Sequence, residues 1–183
     1  MAKILVQFDG SNFYKKAKKT APTLHLTHFN YASLASSITK VQPQTSIYYV
    51  GEIKKYPGNK KSELLYASQQ SLFFTLFKQK ITVKLGYLLM SNGVFHEKGV
   101  DVQIAVDMVR GAIKNEYDTA YLFSSDTDLI PAIKTAREEG KKVVYVAFEN
   151  MISCALQKNC SSYVIITQKN ADAAYKINIL PIL

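Results

Sequence analysis

Cysteine, arginine and long apolar runs are scarce in this chain, and each scarcity excludes a class of protein. The chain has 183 residues and two cysteines, Cys154 and Cys160. They are too few for a disulfide scaffold, and neither has a cysteine or histidine at zinc-site spacing. No apolar run approaches the about 20 residues that cross a bilayer, and Gln7 and Asp9 interrupt the opening run, which argues against a signal peptide. We therefore expect one domain, residues 1–183, in the cytoplasm and not in a membrane.

The motifs of several enzyme classes are also missing. The sequence contains no GxGxxG and no GxxxxGK[ST], so the glycine-rich phosphate cradles of nucleotide-binding proteins are absent. No serine or cysteine lies in a nucleophile elbow. An aspartyl-phosphate phosphatase would need a second aspartate two residues after Asp9, where Ser11 stands. His25 and His28 lie in an apolar, threonine-flanked stretch, so we interpret them as structural or surface residues.

The charge is strongly basic and is carried almost entirely by lysine. Lysine and arginine total 23 against 14 acidic residues, a formal net charge of +9, and only Arg110 and Arg137 are arginines. Lysine suits sequence-independent phosphate contact, whereas arginine is favoured for reading bases. The lysines cluster at 15–19, 54–55 and 60–61, close to tyrosines 14, 56 and 66 that could stack on unpaired bases. Each cluster alone is typical of a solvated surface, but the total favours a polyanionic partner.

Apolar runs and helical periodicities alternate along the chain. We predict strands at 3–8, 45–51, 81–89, 119–125, 142–148 and 162–167, and a turn at 91–93. We predict helices starting at Ser11 and over 29–40, 60–79, 100–114 and 151–158, and a further helix from Pro131 to Gly140. This alternation predicts an α/β fold, a three-layer sandwich with a mostly parallel central sheet.

The aspartates are concentrated where predicted strands end and helices begin. Five of the seven lie in three such segments: Asp9, Asp101, Asp107, Asp126 and Asp128. The carboxyl ends of parallel strands share one edge of the sheet, where ligands bind. Gathered carboxylates raise one another's pKa values unless something neutralises them, and oxygen ligands in that number suit Mg²⁺ or Mn²⁺. A divalent cation held inside a lysine-rich surface is the arrangement needed to hydrolyse a phosphodiester.

Helix capping is the alternative explanation for two of these segments. Residues 9–12 and 125–128 both have the composition of helix N-caps. Capping accounts for one aspartate in each, but leaves the second aspartate of 126–128 unexplained. Asp107 lies about 120° around its helix from the row containing Asp101, at about 100° per residue. We therefore predict that Asp107 forms hydrogen bonds or a salt bridge rather than binding a metal.

Three motifs in order resemble those of the NYN domain family, a branch of the PIN-like nuclease fold, in its small bacterial LabA-like type. They are Asp9-Gly-Ser-Asn12, the segment KGVDVQIAVD from Lys98 to Asp107, and the segment SSDTDLIP from Ser124 to Pro131. Each motif alone is weakly specific, whereas the ordered set is fairly specific. Two positions depart from the family pattern: Ser125 stands where glycine is common, and Leu129 where an aromatic residue is common. Neither departure removes a candidate ligand.

The resemblance implies a metal-dependent ribonuclease that uses Mg²⁺ or Mn²⁺. Asn12 would position the substrate or a water molecule beside the metal ligands, and Ser125 and Thr127 would orient phosphate or carboxylates. The implied metal ligands are Asp9, Asp101, Asp126 and Asp128, and the residues assigned to nucleic-acid contact are Ser125, Thr127, Lys15, Lys16 and Lys98. Single-stranded RNA is the favoured substrate, since an exposed strand can enter the cleft and stack on tyrosine without melting a duplex.

Two other functions stay open at this point. One is a non-catalytic RNA-binding or regulatory protein that retains the fold, and the other is a phosphatase or nucleotide hydrolase acting on a small substrate. A homodimer is a further alternative, because the aromatic-rich stretch 64–77 could supply an interface. We favour the interpretation that this stretch is the core face of a long helix.

Overall fold

Seven strands alternate with six α-helices in the part of the chain that the structure describes. The computed structural model describes residues 2–91, 94–149 and 151–169. The strands are β1 (Ile4–Asp9), β2 (Thr45–Glu52), β3 (Thr82–Ser91), β4 (Val94–Lys98), β5 (Thr119–Phe123), β6 (Lys142–Phe148) and β7 (Ser162–Ile166). The helices are α1 (Gly10–Thr20), α2 (Tyr31–Thr39), α3 (Lys60–Lys78), α4 (Val100–Ile113), α5 (Ile130–Glu138) and α6 (Cys154–Asn159), with short 3-10 turns at Leu26–His28 and Thr127–Leu129.

All seven strands form one sheet in the order β4-β3-β2-β1-β5-β6-β7. Only the β3–β4 pairing is antiparallel; the other five pairings are parallel. The predicted α/β fold with a mostly parallel sheet is therefore confirmed. From β1 the chain adds β2, β3 and β4 in turn on one side of β1. It then crosses back and adds β5, β6 and β7 on the other side. The strand order thus reverses at β1, which is where open α/β sheets bind ligands.

One face of the sheet is covered by α1, α2 and α3 over a largely aromatic core. Phe8 of β1 lies 4.3 Å from Phe123 of β5, between ring centroids, and 5.7 Å from Phe13 of α1. Tyr31 of α2 meets Phe8 edge-on at 5.7 Å. These side chains are almost fully buried, so α1 is fixed directly above the end of β1.

The other face is covered by α4, α5 and α6 over a core that mixes aliphatic side chains with three buried tyrosines, Tyr49, Tyr117 and Tyr145. Ile104 and Met108 of α4 pack with Leu122 of β5 and Ile133 of α5, all of them fully buried. Helices α4 and α5 pack against each other, and α4 also contacts the turn Thr127–Leu129 after β5. The start of α4 therefore lies beside the segment that follows β5. The two layers of helices confirm the three-layer sandwich.

The hairpin strand β4 is absent from the sequence-based prediction, which ended this region at a turn over 91–93. In that turn, 92 and 93 lie outside the described residues. β4 pairs with β3 from Val94 to Lys98 and forms the edge of the sheet. The segment VFHEK is short and carries charged residues, so its pattern gives little strand signal. Other boundaries agree within three residues: the last helix, for example, begins at Cys154 because Ser153 caps it.

The prediction that 64–77 is the core face of a helix is wrong. On α3, Leu64 is 72% exposed, Phe74 59% and Phe77 79%. The buried residues of this helix are Ser62, Gln69 and Leu76, a stripe only one residue wide. Helix α3 lies beside β3 and the 3-10 turn Leu26–His28, and these neighbours leave Leu64, Phe74 and Phe77 largely exposed. No helix in the described part of the chain is both long and apolar enough to span a membrane.

Candidate carboxylate site at the strand switch point

Asp9 is the innermost carboxylate of the site. It is the last residue of β1 and is 4% exposed. Its Oδ1 accepts a hydrogen bond from the backbone N–H of Asn12 at 3.1 Å, which caps α1. Its Oδ2 accepts from the hydroxyl of Ser124 at 2.6 Å, across the sheet at the end of β5. Asp9 is therefore held in one orientation between the two strands where the sheet order reverses.

The segment after β5 is joined to Asp9 by a short chain of hydrogen bonds. The Ser124 hydroxyl that donates to Asp9 also accepts from the backbone N–H of Asp126 at 3.1 Å. Asp126 Oδ1 accepts from the backbone N–H of Asp128 at 2.9 Å. The side-chain oxygen of Asn12 accepts from the backbone N–H of Ser125 at 3.2 Å. The first and third sequence motifs thus meet through direct contacts.

The second motif reaches the same edge through the first turn of α4. Gly99, at φ +81°, ends β4 and begins the helix, so Asp101 lies in its first turn. The start of α4 packs closely on β3 at Gly86, where a Cβ would lie 2.6 Å from the carbonyl oxygen of Lys98. Only glycine fits at that position. This close packing fixes where Asp101 stands.

Glu97 adds a carboxylate that the sequence prediction did not include. It lies on β4 and accepts a hydrogen bond from the backbone N–H of Gly51 at the end of β2. A Cβ on Gly51 would lie 2.9 Å from Glu97 Oε1, so glycine leaves the space that this side chain uses. The β3–β4 hairpin is what folds Glu97 back over the ends of the strands.

These carboxylates act on one another electrostatically. The pKa of Asp9 is raised to about 6, mainly by burial; the hydrogen bonds from Ser124 and Asn12 lower it, and the nearby charges of Asp101 and Glu97 add a smaller upward shift. The pKa of Asp101 is also raised, first by burial and then by the charges of Asp126, Glu97 and Asp128. The five residues Asp9, Glu97, Asp101, Asp126 and Asp128, which we call the carboxylate cluster, therefore form one region of negative potential.

No cation among the described residues neutralises this cluster. The two ion pairs found in residues 2–91, 94–149 and 151–169 both involve Asp107, with Lys84 at 2.7 Å and Arg110 at 3.3 Å. Asp107 also accepts from the hydroxyl of Tyr49 at 3.0 Å. This confirms the prediction that Asp107 forms a salt bridge. In a chain with a net charge of +9, no carboxylate of the cluster therefore forms an ion pair with a lysine or arginine among the described residues.

The donor chemistry of the cluster fits a hard divalent cation, although its side chains are spread apart. Within the described ranges, no three His, Cys, Asp or Glu side chains are close enough to share one ion. The cluster offers carboxylate oxygens alone, the ligands that Mg²⁺ and Mn²⁺ prefer. Asp101 and Asp128 are exposed, and exposed side chains change rotamer in picoseconds to nanoseconds. An ion entering the cluster would offset both the burial of the Asp9 charge, which is the main cause of its raised pKa, and the smaller repulsion from Asp101 and Glu97.

Capping is also present at this site. Asp9 caps α1, and Asp126 caps the turn Thr127–Leu129. Each cap uses one carboxylate oxygen, Oδ1 in both cases. Asp128, Asp101 and Glu97 cap no helix among the described elements. Helix capping therefore explains the positions of Asp9 and Asp126, but it does not explain those of Asp128, Asp101 and Glu97.

The residues assigned to nucleic-acid contact differ in their exposure and contacts. The Ser125 hydroxyl is within hydrogen-bond distance of the Tyr145 hydroxyl, at 2.9 Å. Thr127 is exposed in the turn after Asp126. Lys15 and Lys98 are exposed and Lys16 is half-buried. Their roles stay predictions.

Two site residues escaped the sequence prediction, for different reasons. Glu97 stands between His96 and Lys98, where it resembles an ordinary surface charge, and its strand was not predicted. Ser124 was part of the third motif but received no role. Its position immediately after a buried strand was the available signal, since such a side chain faces the sheet edge.

Comparisons with known proteins agree with this description. The sequence model of the NYN domain matches residues 3–167. The chain belongs to the NYN domain family. NYN membership gives it a nuclease-type fold and confirms the resemblance carried by the three motifs.

Individual relatives are more distant. The uncharacterized protein MJ0482 of Methanocaldococcus jannaschii is 42% identical over 66 residues, which is 36% of this chain and 27% of that protein. The crystal structure of VPA0982 from Vibrio parahaemolyticus, a protein of unknown function, superposes with a TM-score of 0.67 at 19% identity, covering 90% of this chain and 93% of that one. It shows the same fold. T5 5′-exonuclease with bound zinc ions aligns with a TM-score of 0.38 at 17% identity, over 71% of this chain and 52% of that one, too low to bear on this chain.

Proposed function

We propose that this NYN domain is a metal-dependent ribonuclease that hydrolyses phosphodiester bonds in single-stranded RNA. The observation that carries the proposal is the carboxylate cluster at the strand switch point, which has no cationic partner among the described residues. Burial of Asp9 beside the charges of Asp101 and Glu97 costs stability, and a bound cation would offset that cost. A chain with an excess of lysine supplies the complementary attraction for a polyanion.

In this proposal each residue has a stated role. Asp9, Asp101, Asp126 and Asp128 hold Mg²⁺ or Mn²⁺, and Glu97 adds negative charge beside them. When bound, such an ion stabilises charge that develops on phosphate and helps to generate a nucleophile from water. The hydrolysis leaves a 5′-phosphate and a 3′-hydroxyl.

The chain's own groups orient the substrate. The amide nitrogen of Asn12 makes no hydrogen bond with the described residues, while the amide oxygen is fixed by Ser125. Its two N–H groups can donate to a phosphate oxygen beside Asp9. Thr127, Lys15, Lys16 and Lys98 contribute contacts to the strand at the margins of the cluster, as point charges or hydroxyl donors.

A non-catalytic RNA-binding protein is the second candidate, and one observation favours it. The capping bonds of Asp9 and Asp126 give both residues a structural role that needs no metal. Such a protein would bind RNA through its lysines, with affinity falling steeply between roughly 50 and 200 mM salt, and would not cut it.

The proposal is tested by incubating the protein with labelled single-stranded RNA in Mn²⁺, in Mg²⁺ and in EDTA, beside a duplex of the same sequence. We expect cleavage with metal only, faster on the single strand. Salt-sensitive binding without cleavage in either metal would select the non-catalytic candidate. Equal cleavage in EDTA would show that the carboxylate cluster is not the catalytic site.

A further inference from the structure

A cavity of about 270 Å³ opens beside the carboxylate cluster, between α1 and α3. Its walls include Gly10 and Tyr14 of α1, Ile53 after β2, and Leu65, Ser68 and Leu72 of α3. The three α3 residues follow the spacing i, i+3, i+7, so they lie on one side of the helix. The cavity is smaller than the about 300–1,000 Å³ typical of pockets for drug-sized ligands.

The cavity and the cluster share a wall. Gly10, which lines the cavity, directly follows Asp9, and the ring of Tyr48 packs on its backbone. A Cβ at Gly10 would lie 2.5 Å from Tyr48 Cε1, so glycine permits this contact. The Tyr48 hydroxyl donates to the Gly10 carbonyl at 3.4 Å. The wall of the cavity at Gly10 is therefore one residue along the chain from the innermost carboxylate.

The walls have the chemistry of a nucleobase site. Tyr14 is 54% exposed and presents an aromatic ring, and Ile53, Leu65 and Leu72 add apolar surface. The hydroxyl of Ser68 supplies a polar group at the opening. A base has apolar faces that stack on aromatic and aliphatic side chains, and polar edges that accept or donate hydrogen bonds.

Lysines occur in α1, in the segment after β2 and in α3, which form walls of the cavity. Lys15 lines it, Lys54 and Lys55 directly follow Ile53, and Lys61 stands one helical turn before Leu65. All four are exposed. An apolar cavity bordered by lysines is complementary to a nucleotide, whose base is apolar on its faces and whose phosphate is anionic.

We propose that this cavity binds one unpaired base of single-stranded RNA, with the adjoining phosphate directed toward the carboxylate cluster. The identification of the bound polymer as RNA rests on the proposed function, whereas the presence and lining of the cavity are independent of that function. A base already paired in a duplex cannot enter a cavity of this kind. The cavity thus supplies the selection for unpaired substrate and sets which phosphate stands beside Asp9.

The test measures binding and position without cleavage. A short RNA containing 4-thiouridine is bound in EDTA, its affinity is measured by anisotropy, and the complex is irradiated and digested with trypsin. We expect cross-links on Tyr14 or on the peptide 62–78, which contains the α3 wall. Ser68→Phe, which fills the cavity, and Tyr14→Ala, which removes the ring, should weaken binding by roughly 5- to 150-fold.

Gln70→Phe is the matched control. Gln70 is exposed on the same helix, about 200° around the axis from Ser68, and its substitution should leave affinity and cross-links unchanged. Thermal unfolding of the three variants, Ser68→Phe, Tyr14→Ala and Gln70→Phe, verifies that each is folded. Wild-type affinity and cross-links in a folded Ser68→Phe protein would overturn the cavity proposal, whatever the cleavage assay shows. Cross-links in the cavity without cleavage in Mn²⁺ or Mg²⁺ would instead contradict the proposed function and leave the base site standing.

Discussion

Asp9→Asn is expected to slow RNA cleavage by about a hundredfold or more without weakening RNA binding. Asp9 is the most buried carboxylate of the cluster and is held by hydrogen bonds from Ser124 and Asn12. Asparagine keeps the size and can still accept from Asn12, but it removes the charge that would attract a divalent cation. Losing several kcal/mol of metal-assisted stabilisation corresponds to at least about two orders of magnitude in rate.

The measurement is a single-turnover cleavage rate in Mn²⁺ together with an RNA binding curve. Asp118→Asn is the control for the chemical change. Asp118 is exposed at the opposite end of β5, where its Oδ2 accepts from the backbone N–H of Lys3 at 2.7 Å. Asp118→Asn should cleave at the wild-type rate. Equal rates for Asp9→Asn and Asp118→Asn would remove Asp9 from the catalytic set.

The same substitution is expected to stabilise the metal-free protein at neutral pH by about 2 to 3 kcal/mol. The pKa of Asp9 rises from 3.8 in the unfolded chain to about 6 in the folded protein, mainly because burial disfavours the charge. Below pH 3.8 the Asp9 carboxyl is protonated in both the folded and the unfolded state, so its ionisation does not lower the free energy of unfolding. As pH rises from 3.8 to 6, the Asp9 carboxyl ionises in the unfolded state before it ionises in the folded state. The free energy of unfolding of the wild-type protein therefore falls across this window. Asp9→Asn carries no such cost.

The free energy of unfolding in urea, with EDTA present, measures this effect. The difference between Asp9→Asn and wild type should be near zero below pH 4 and reach its full value above pH 6. Adding Mn²⁺ should stabilise the wild-type protein by mass action and have little effect on the variant. A variant no more stable than wild type at pH 7.5 would show that Asp9 bears no electrostatic cost in the fold.

Much of the fold and four of the five carboxylates of the cluster could be predicted from sequence because the signals are local. Buried strands such as β1 and β6 are mainly apolar, and the aspartates lie at or after the ends of strands whose parallel alignment brings those ends together. Asp107 could be excluded from the metal site because the helical angle separates it from Asp101. These inferences need only neighbouring residues.

The rest depends on contacts between distant segments. Glu97 joins the cluster only because β4 folds back beside β3 and its side chain accepts from Gly51. On α3, Gln69 is buried because its side chain bonds to the backbone of Gly51 and Ile53, while Phe74 and Phe77 are exposed. Hydrophobicity alone predicts that Phe74 and Phe77 are buried and Gln69 is exposed. The sequence of the helix by itself therefore could not show which side of α3 faces the sheet.

The most direct test compares wild type with Asp126→Asn on labelled single-stranded RNA in Mn²⁺, with a parallel reaction in EDTA. Asp126 lies in the cluster, bonded through its backbone to the Ser124 hydroxyl that holds Asp9. We predict cleavage by wild type in Mn²⁺ only, and none by Asp126→Asn although the RNA is still bound. Cleavage that persists in EDTA, or in the variant at the wild-type rate, would contradict the assignment of this carboxylate cluster as a metal-dependent nuclease site.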